Sequence, residues 1–267
     1  MVELKSAGEI AAMREAGRAV AAVLAAVQAN AAAGVTLRSL DALARSVLAE
    51  HRATSTFLGY QPAFARTAFP AVICSSVNDA ALHGVPDDYR LRDGDLLSID
   101  CGADIGGWAG DAAITFAVGT PRPADVLLAE TTRRALQAGI DAATPGARLG
   151  DISHAIGQVG RAGGYGINTD FGGHGIGRHM HEDPSVPNEG RPKRGMTLQP
   201  GLVLAIEPWF MAGGRDGYRV DADGWTLRTA DGSRAAHFEH TVAITDDGPQ
   251  VMTRPSLKKW PTRATAQ

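Results

Sequence analysis

Apolar positions near the start of the chain fall at helical spacing. Ile10, Met13, Val20, Leu24 and Val27 form one stripe. Ser6-Ala-Gly-Glu9 just before them has the spacing of a capping box, in which a hydroxyl and a carboxylate each satisfy the other residue's backbone N–H. The same stretch imitates a signal peptide, because Lys5, Arg14 and Arg18 precede the apolar run Ala19–Val27. Glu3, Glu9 and Glu15 among those basic residues favour the amphipathic helix. A second helix is expected after Thr36, through Leu40, Leu43, Ala44 and Leu48. A third begins near Pro123 and ends before Thr144-Pro145-Gly146. A fourth covers roughly Asp151–Ala162 and stops at Gly163-Gly164.

Between the helices the pattern changes to short apolar runs of strand type. Asp95–Cys101 and Gly110–Val118 are two, and Asp104-Ile105-Gly106-Gly107 between them is a plausible tight turn. Folding this hairpin about the Ile105–Gly106 bond sets Asp100 opposite Asp111. Like charges opposed across a ladder repel, and one or two cations would turn that repulsion into coordination. A hairpin with two solvated aspartates is the plainer alternative. Gly201–Glu207 repeats the design: an acid ends an apolar run at the same spacing from a glycine as in Gly94–Asp100. His83-Gly84-Val85-Pro86 likewise has a partner in His174-Gly175-Ile176-Gly177. The two matches predict an internal duplication, each half giving a histidine loop and an acidic strand to a shared centre. Glu239, in Ala235–Ile244, adds a fourth acid from a further strand.

Carboxylates inside apolar runs are costly to bury unless a cation or a donor meets them. Asp100, Asp111, Glu207 and Glu239, with His83, His174 and His181, therefore point to a carboxylate-rich, two-metal hydrolytic site. The other histidines, His51, His154, His179 and His237, are read as surface or packing residues. His240, next to Glu239, is a candidate for supporting a ligand.

Composition narrows the setting. The chain has 267 residues and a formal charge of -3, with no sign of a nucleic-acid or polybasic membrane surface. Cys74 and Cys101 are the only cysteines and form no metal-finger spacing or disulfide framework, which favours a reducing cytoplasm. No apolar run reaches the roughly 18 residues that suggest a membrane span. No linker divides the chain, so residues 1–253 are expected to form a single domain and 254–267 a polar tail.

The segments Leu82-His-Gly-Val-Pro-Asp-Asp88, Ile99-Asp-Cys-Gly102, Gly173-His-Gly-Ile-Gly-Arg178, His181-Glu-Asp-Pro184, Ala205-Ile-Glu-Pro208 and Phe238-Glu-His-Thr241 resemble the type I methionine aminopeptidases, in that family's order and over most of the chain. The resemblance implies an α+β architecture, the pita-bread fold: two pseudo-symmetric halves of curved antiparallel sheet with helices outside. It implies removal of the initiator methionine from nascent chains with a small second residue. It implies two divalent ions, of Co, Mn, Fe(II) or Zn. Asp111, His174, Glu207 and Glu239 would bind one ion, and Asp100, Asp111 and Glu239 the other. Glu207 would also relay protons, His181 would donate to the carbonyl oxygen or oxyanion, and His83 would contact the scissile amide nitrogen. Cys74, Met180, Trp225, Tyr60 and Phe69 would line the methionine pocket. A monomer with a transient ribosome contact is expected.

The chain departs from the commonest pattern near that pocket. Met180 stands where an aromatic is frequent, and Gln61–Ala68 reads as an insertion. Two rivals share the fold: an Xaa-Pro aminopeptidase or creatinase-like hydrolase, which usually carries an additional N-terminal domain, and a non-enzymatic relative, which would lack ligands that are all filled here.

Overall fold

A computed structural model of the chain describes residues 2–63 and 65–254. In chain order the first half contains α1 (Ala7–Asn30), α2 (Leu37–Glu50), β1 (Thr54–Ser55), β2 (Cys74–Val77), β3 (Ala80–Leu82), β4 (Leu96–Ile105) and β5 (Trp108–Ala117). The second contains α3 (Pro123–Ala142), α4 (Leu149–Ala162), β6 (Gly173–Gly175), β7 (Glu182–Val186), β8 (Val203–Ile206), β9 (Trp209–Met211), β10 (Tyr218–Val220), β11 (Leu227–Thr229), β12 (Ala235–His237), β13 (His240–Thr245) and β14 (Gly248–Val251).

The helices start where local chemistry satisfies their free N–H groups. Ser6 caps α1, and the Glu9 carboxylate returns to accept from the Ser6 N–H at 2.8 Å, completing the capping box. Thr36 Oγ1 accepts from Ser39 N–H at the start of α2. Pro123 opens α3, where its missing N–H costs nothing. The predicted boundaries agree with these four elements. The tail expected from Arg254 onward lies, apart from Arg254, outside the described residues.

Each half buries its own helix pair against its own sheet. In the first, Val20, Leu24 and Val27 of α1 and Leu40, Ala44 and Leu48 of α2 pack on Leu97, Ile99 and Cys101 of β4. In the second, Leu128, Leu136 and Ile140 of α3 and Ile152 and Ile156 of α4 pack on Leu204 and Ile206 of β8 and on Val242 and Ile244 of β13. The sheets are antiparallel. β4 pairs with β5 along one edge and with β2 and β1 along the other, while the second half runs β14-β13-β8-β6-β7. Helix α1 crosses β5 so closely that a Cβ on Gly110 would lie 3.0 Å from Gly17 N. A methyl on Gly17 would itself meet the Met252 carbonyl at 2.4 Å, an overpacking that costs about 1–3 kcal/mol.

The duplication is visible in the backbone. Gly94 and Gly201 both take left-handed φ values, 80° and 94°, and each is followed at the same spacing by an acid, Asp100 within β4 and Glu207 just after β8. Asp100 and Glu207 are thus equivalent. At the seam, Ala113 and Glu239 exchange backbone hydrogen bonds of 3.0 and 3.3 Å. On either side of them a threonine clamps a backbone across the seam: Thr241 Oγ1 accepts from Asp111 N–H and donates to Asp111 O. Thr115 Oγ1 does the same for His237.

Two expectations need correction. The turn is Gly106-Gly107, because Ile105 pairs with Trp108; Asp100 faces Ala113 and Asp111 faces Gly102. The aspartates are therefore diagonal rather than opposed. A displacement of two residues preserves the face, so both acids still point the same way. The His-Gly motifs are not mates either. Ser76 on β2 faces Ser98, and His174 on β6 faces Ala205, so Ser76 is the counterpart of His174. His83 sits in a loop, at φ 56°.

Candidate metal centre

The acids meet at the seam. Asp111, His174 and Glu239 bring ligand atoms within 4.8 Å of one another, and all three are buried. Asp100 comes from β4, Asp111 from β5 and His174 from β6, while Glu207 directly follows β8 and Glu239 directly precedes β13. Glu207 Oε1 lies 3.5 Å from His174 Nε2. His174 Nδ1 donates to the Gly175 carbonyl at 2.9 Å, which leaves Nε2 facing the Glu207 carboxylate.

The donors suit a hard or borderline divalent cation. Asp100 Oδ1, Asp111 Oδ1 and Glu239 Oε1 are buried without a hydrogen-bond partner. Burial, then mutual repulsion, pushes Asp100 and Glu239 well above the usual carboxylate range. The same forces push Asp111 from 3.8 up to about 8. Glu207 goes the other way: burial raises it, but His237, His174 and His181 outweigh burial and hold it below its ordinary value. Carboxylates kept from ionising by burial and by one another, beside an imidazole, are what a cation would neutralise.

Titration follows with a definite sign. In metal-free protein the raised carboxylates favour the fold while protonated, and that contribution is lost as pH rises from about 4 toward about 8. A bound divalent ion removes the repulsion. The increase in Tm on adding metal is expected to be larger at about pH 8 than at about pH 5.5, in thermal melts of chelated and reconstituted protein. Equal increments at both would contradict the burial of these charges.

Beside the acids is a cavity of about 380 Å³. His83 and His181 line it, and burial lowers both, to about 4 and about 3. Both are neutral imidazoles near pH 7. His181 lies against His174 at 4.3 Å between ring centroids and against Tyr60 at 5.2 Å. His83 meets the edge of Phe171 at 5.4 Å. The deep wall is a cluster of Phe57, Phe69, Cys74, Met180 and Trp225, with Tyr60 half-buried at its edge. All five pocket residues expected from sequence are in it.

The insertion is part of that wall. Gly59 N–H donates to Phe69 O and Phe69 N–H to Tyr60 O, closing the loop at its base. Thr67 O accepts from Trp225 Nε1 at 3.1 Å, and Ala65 is in the cluster. Phe64, within the insertion, lies outside the described residues.

Sequence reasoning missed two residues here. Phe57 packs edge-on to Phe69. His237, read as packing, is buried with Nε2 3.6 Å from Glu207 Oε2, opposite His174. Its signal was the duplication: the threonine clamps make it the counterpart of Asp111. His240 does not support the centre. Neighbouring strand residues point to opposite faces, and its Nδ1 pairs with Thr253 Oγ1 at 2.8 Å. His179 is exposed and His51 and His154 are half-buried away from the cavity.

The chain is similar to known proteins in sequence and in fold. The sequence profile of metallopeptidase family M24 matches residues 11–246. Methionine aminopeptidase 1 of Mycobacterium tuberculosis is 52% identical over 260 residues, covering 95% of each chain. Methionine aminopeptidase 1 of Bacillus subtilis is 41% identical, over 95% of this chain and all of the relative. The crystal structure of methionine aminopeptidase from Thermotoga maritima superposes with a TM-score of 0.91 at 38% identity, covering 95% of this chain and 100% of that one. Prolidase from Pyrococcus furiosus shares the fold at 22% identity and a TM-score of 0.74, with 66% of its length covered. The chain belongs to metallopeptidase family M24, metal-dependent hydrolases built here on the pita-bread fold. Within it the chain is of the type I methionine aminopeptidase kind, an exopeptidase that removes N-terminal methionine.

Proposed function

We propose that the centre holds two divalent ions, of Mn, Fe(II), Co or Zn, and excises the initiator methionine of nascent chains whose second residue is small. The observation that carries this reading is that Asp100, Asp111 and Glu239 line one cavity with buried, partnerless oxygens, and that Asp111 and Glu239 converge there with His174. Asp111, His174, Glu207 and Glu239 would hold one ion and Asp100, Asp111 and Glu239 the other. Bound there, the ions would supply a water activated near neutral pH and a polarised carbonyl.

The chain's own groups do the rest. Glu207 accepts and returns the proton that moves from water to the leaving amine. His174 Nε2 and His237 Nε2 lie 3.5 and 3.6 Å from its two oxygens. His181, neutral and turned into the cavity, donates to the developing oxyanion. His83 meets the scissile amide nitrogen. Its left-handed φ of 56° is a conformation that a non-glycine residue adopts only when its surroundings impose it. The methionine side chain lies among Cys74, Met180, Phe69, Trp225 and Tyr60, sulfur and ring surfaces that suit a thioether.

Residues 1–253 act as one catalytic domain in this reading, working in the cytoplasm as a monomer with a transient ribosome contact and no nucleic-acid function. Among the described residues no helix is long and apolar enough to cross a membrane.

The test is a Met-Xaa peptide panel on metal-free protein to which single defined metals are returned anaerobically. Free methionine from Met-Ala and little from Met-Lys is expected, and equal cleavage of the two would refute the small-second-residue claim. Deleting Gln61–Ala68 should weaken Met binding, because it removes the Thr67 carbonyl that seats Trp225. An unchanged KM in that variant would reduce the insertion to scaffold.

A further inference from the structure

Lys5 is a buried basic residue whose burial the reaction chemistry leaves unexplained. It is 5% exposed, in the arm that precedes α1. Burying an ammonium is costly unless it is paired, and Lys5 Nζ lies 2.6 Å from Glu182 Oε2 and 3.3 Å from Glu3 O. Glu182 is the neighbour of His181. Its other oxygen, Oε1, accepts from the His179 N–H at 3.0 Å. Burial alone would raise the Glu182 carboxyl, but that N–H and the ammonium hold it below its ordinary value.

Lys5 also fits the turn sterically. A Cβ on Gly177 would come 2.4 Å from Lys5 Cε and 2.6 Å from Nζ, so the turn accepts the lysine tip only because residue 177 is glycine. The backbone of Lys5 donates to Gly201 O at 2.7 Å, at the root of the strand that leads to Glu207. One residue of the N-terminal arm thus touches two of the segments that the second half contributes to the site.

The His181 ring needs such support. Its described partners are the rings of Tyr60 and His174, and ring contacts leave a side chain room to slide. The backbone of residues 177–182 must fix it. That backbone is tied to the first half by Ala109 N–H donating to Gly177 O at 2.8 Å and by Arg178 lying 3.6 Å over the Trp108 ring. Glu182 at its end pairs with Gly175 of β6, and the Lys5–Glu182 ion pair adds a side-chain tie to the N-terminal arm.

We propose that Lys5 is a positioning residue: anchored on Glu182, it sets the 177–182 turn so that His181 and Met180 face the substrate. This rests on the reading of His181 as the oxyanion donor. The N-terminal arm is then part of the catalytic apparatus.

The test is a double-mutant cycle on the full chain reconstituted with Mn²⁺, assayed on a Met-Ala-Ser peptide. Lys5→Met, which keeps the apolar stem and removes the charge, should lower kcat/KM on the order of 10–10²-fold, mainly through kcat, with metal content unchanged. Glu182→Gln should give a loss of the same order. In a His181→Ala background, Lys5→Met should cost little more, because the group it positions is gone. Full activity in Lys5→Met, or an equal further loss in the His181→Ala background, would overturn the proposal; the latter would mark Lys5 as a stability residue only. If Lys5→Met does not fold, Glu182→Gln carries the same cycle with the same criteria. Unimpaired activity in His181→Ala alone would instead refute the role of His181, and the proposal with it. That outcome is recognised without any Lys5 variant.

Discussion

Asp111→Asn is expected to lose both its metal and nearly all turnover while keeping the fold. The side chain is 4% exposed, and its Oδ1 has no hydrogen-bond partner. It shares with His174 and Glu239 the one group of converging ligand atoms found among the described residues. An amide keeps the shape but not the charge, and its NH₂ cannot coordinate. Losing several kcal/mol of transition-state stabilisation lowers kcat on the order of 10³-fold or more. The strand should survive, because the Asp111 backbone is held at both N–H and C=O by Thr241 Oγ1, independently of the side chain.

The same variant has a second, opposite signature. In metal-free protein the buried acids repel, and Asp111→Asn removes one of those charges. Its metal-free Tm at about pH 8 should exceed that of metal-free wild type, although its metal-loaded Tm should be lower. Metal analysis and the pair of melts decide the matter. Near-normal activity with full metal occupancy would remove Asp111 from the centre.

The sequence disclosed much of this because several signals were local. The Ser6/Glu9 box, the Thr36 cap and Pro123 act within one helical turn, so each could be read from a few neighbours. The acids were legible because burying them without a counter-charge is costly. What escaped depends on contacts between distant segments. The hairpin centre was displaced because Gly106-Gly107, rather than Ile105-Gly106, takes the two positive φ values, 64° and 78°, that a tight turn needs. The prediction of a shared face survived only because the displacement was even. His83 and His174 look alike as short motifs, yet sheet register matches His174 with Ser76. His237 reads as a packing residue, and Lys5 as a basic residue before the first apolar run, because nothing adjacent in the chain marks either further. Their partners, Glu207 and Glu182, are far away in sequence. Conversely, His240 borrowed significance from Glu239, although alternation along a strand sends neighbours to opposite faces.

His181→Ala is expected to keep the metal and lose rate. His181 lines the cavity, but the converging ligand atoms are those of Asp111, His174 and Glu239. Burial, then the neighbouring His174, lowers its pKa to about 3, so it is a neutral imidazole through the range in which the enzyme would be assayed. A neutral ring can give one N–H to an oxyanion, and removing one such donor costs on the order of 10²–10³-fold in kcat/KM. Because the ring is already neutral, its own ionisation cannot shape the pH–rate profile near neutrality. The profile of His181→Ala should therefore be lower than that of wild type but parallel to it between about pH 6 and about pH 9. His181→Gln, which offers an N–H donor on a side chain of similar reach, should recover part of the loss; His181→Leu, which fills the space without a donor, should not. Stoichiometric metal in all three variants, measured beside the rates, completes the test. A fall in metal content would make His181 a ligand, and a profile that changed shape would make it a titrating acid or base; either result would end its assignment as a neutral oxyanion donor.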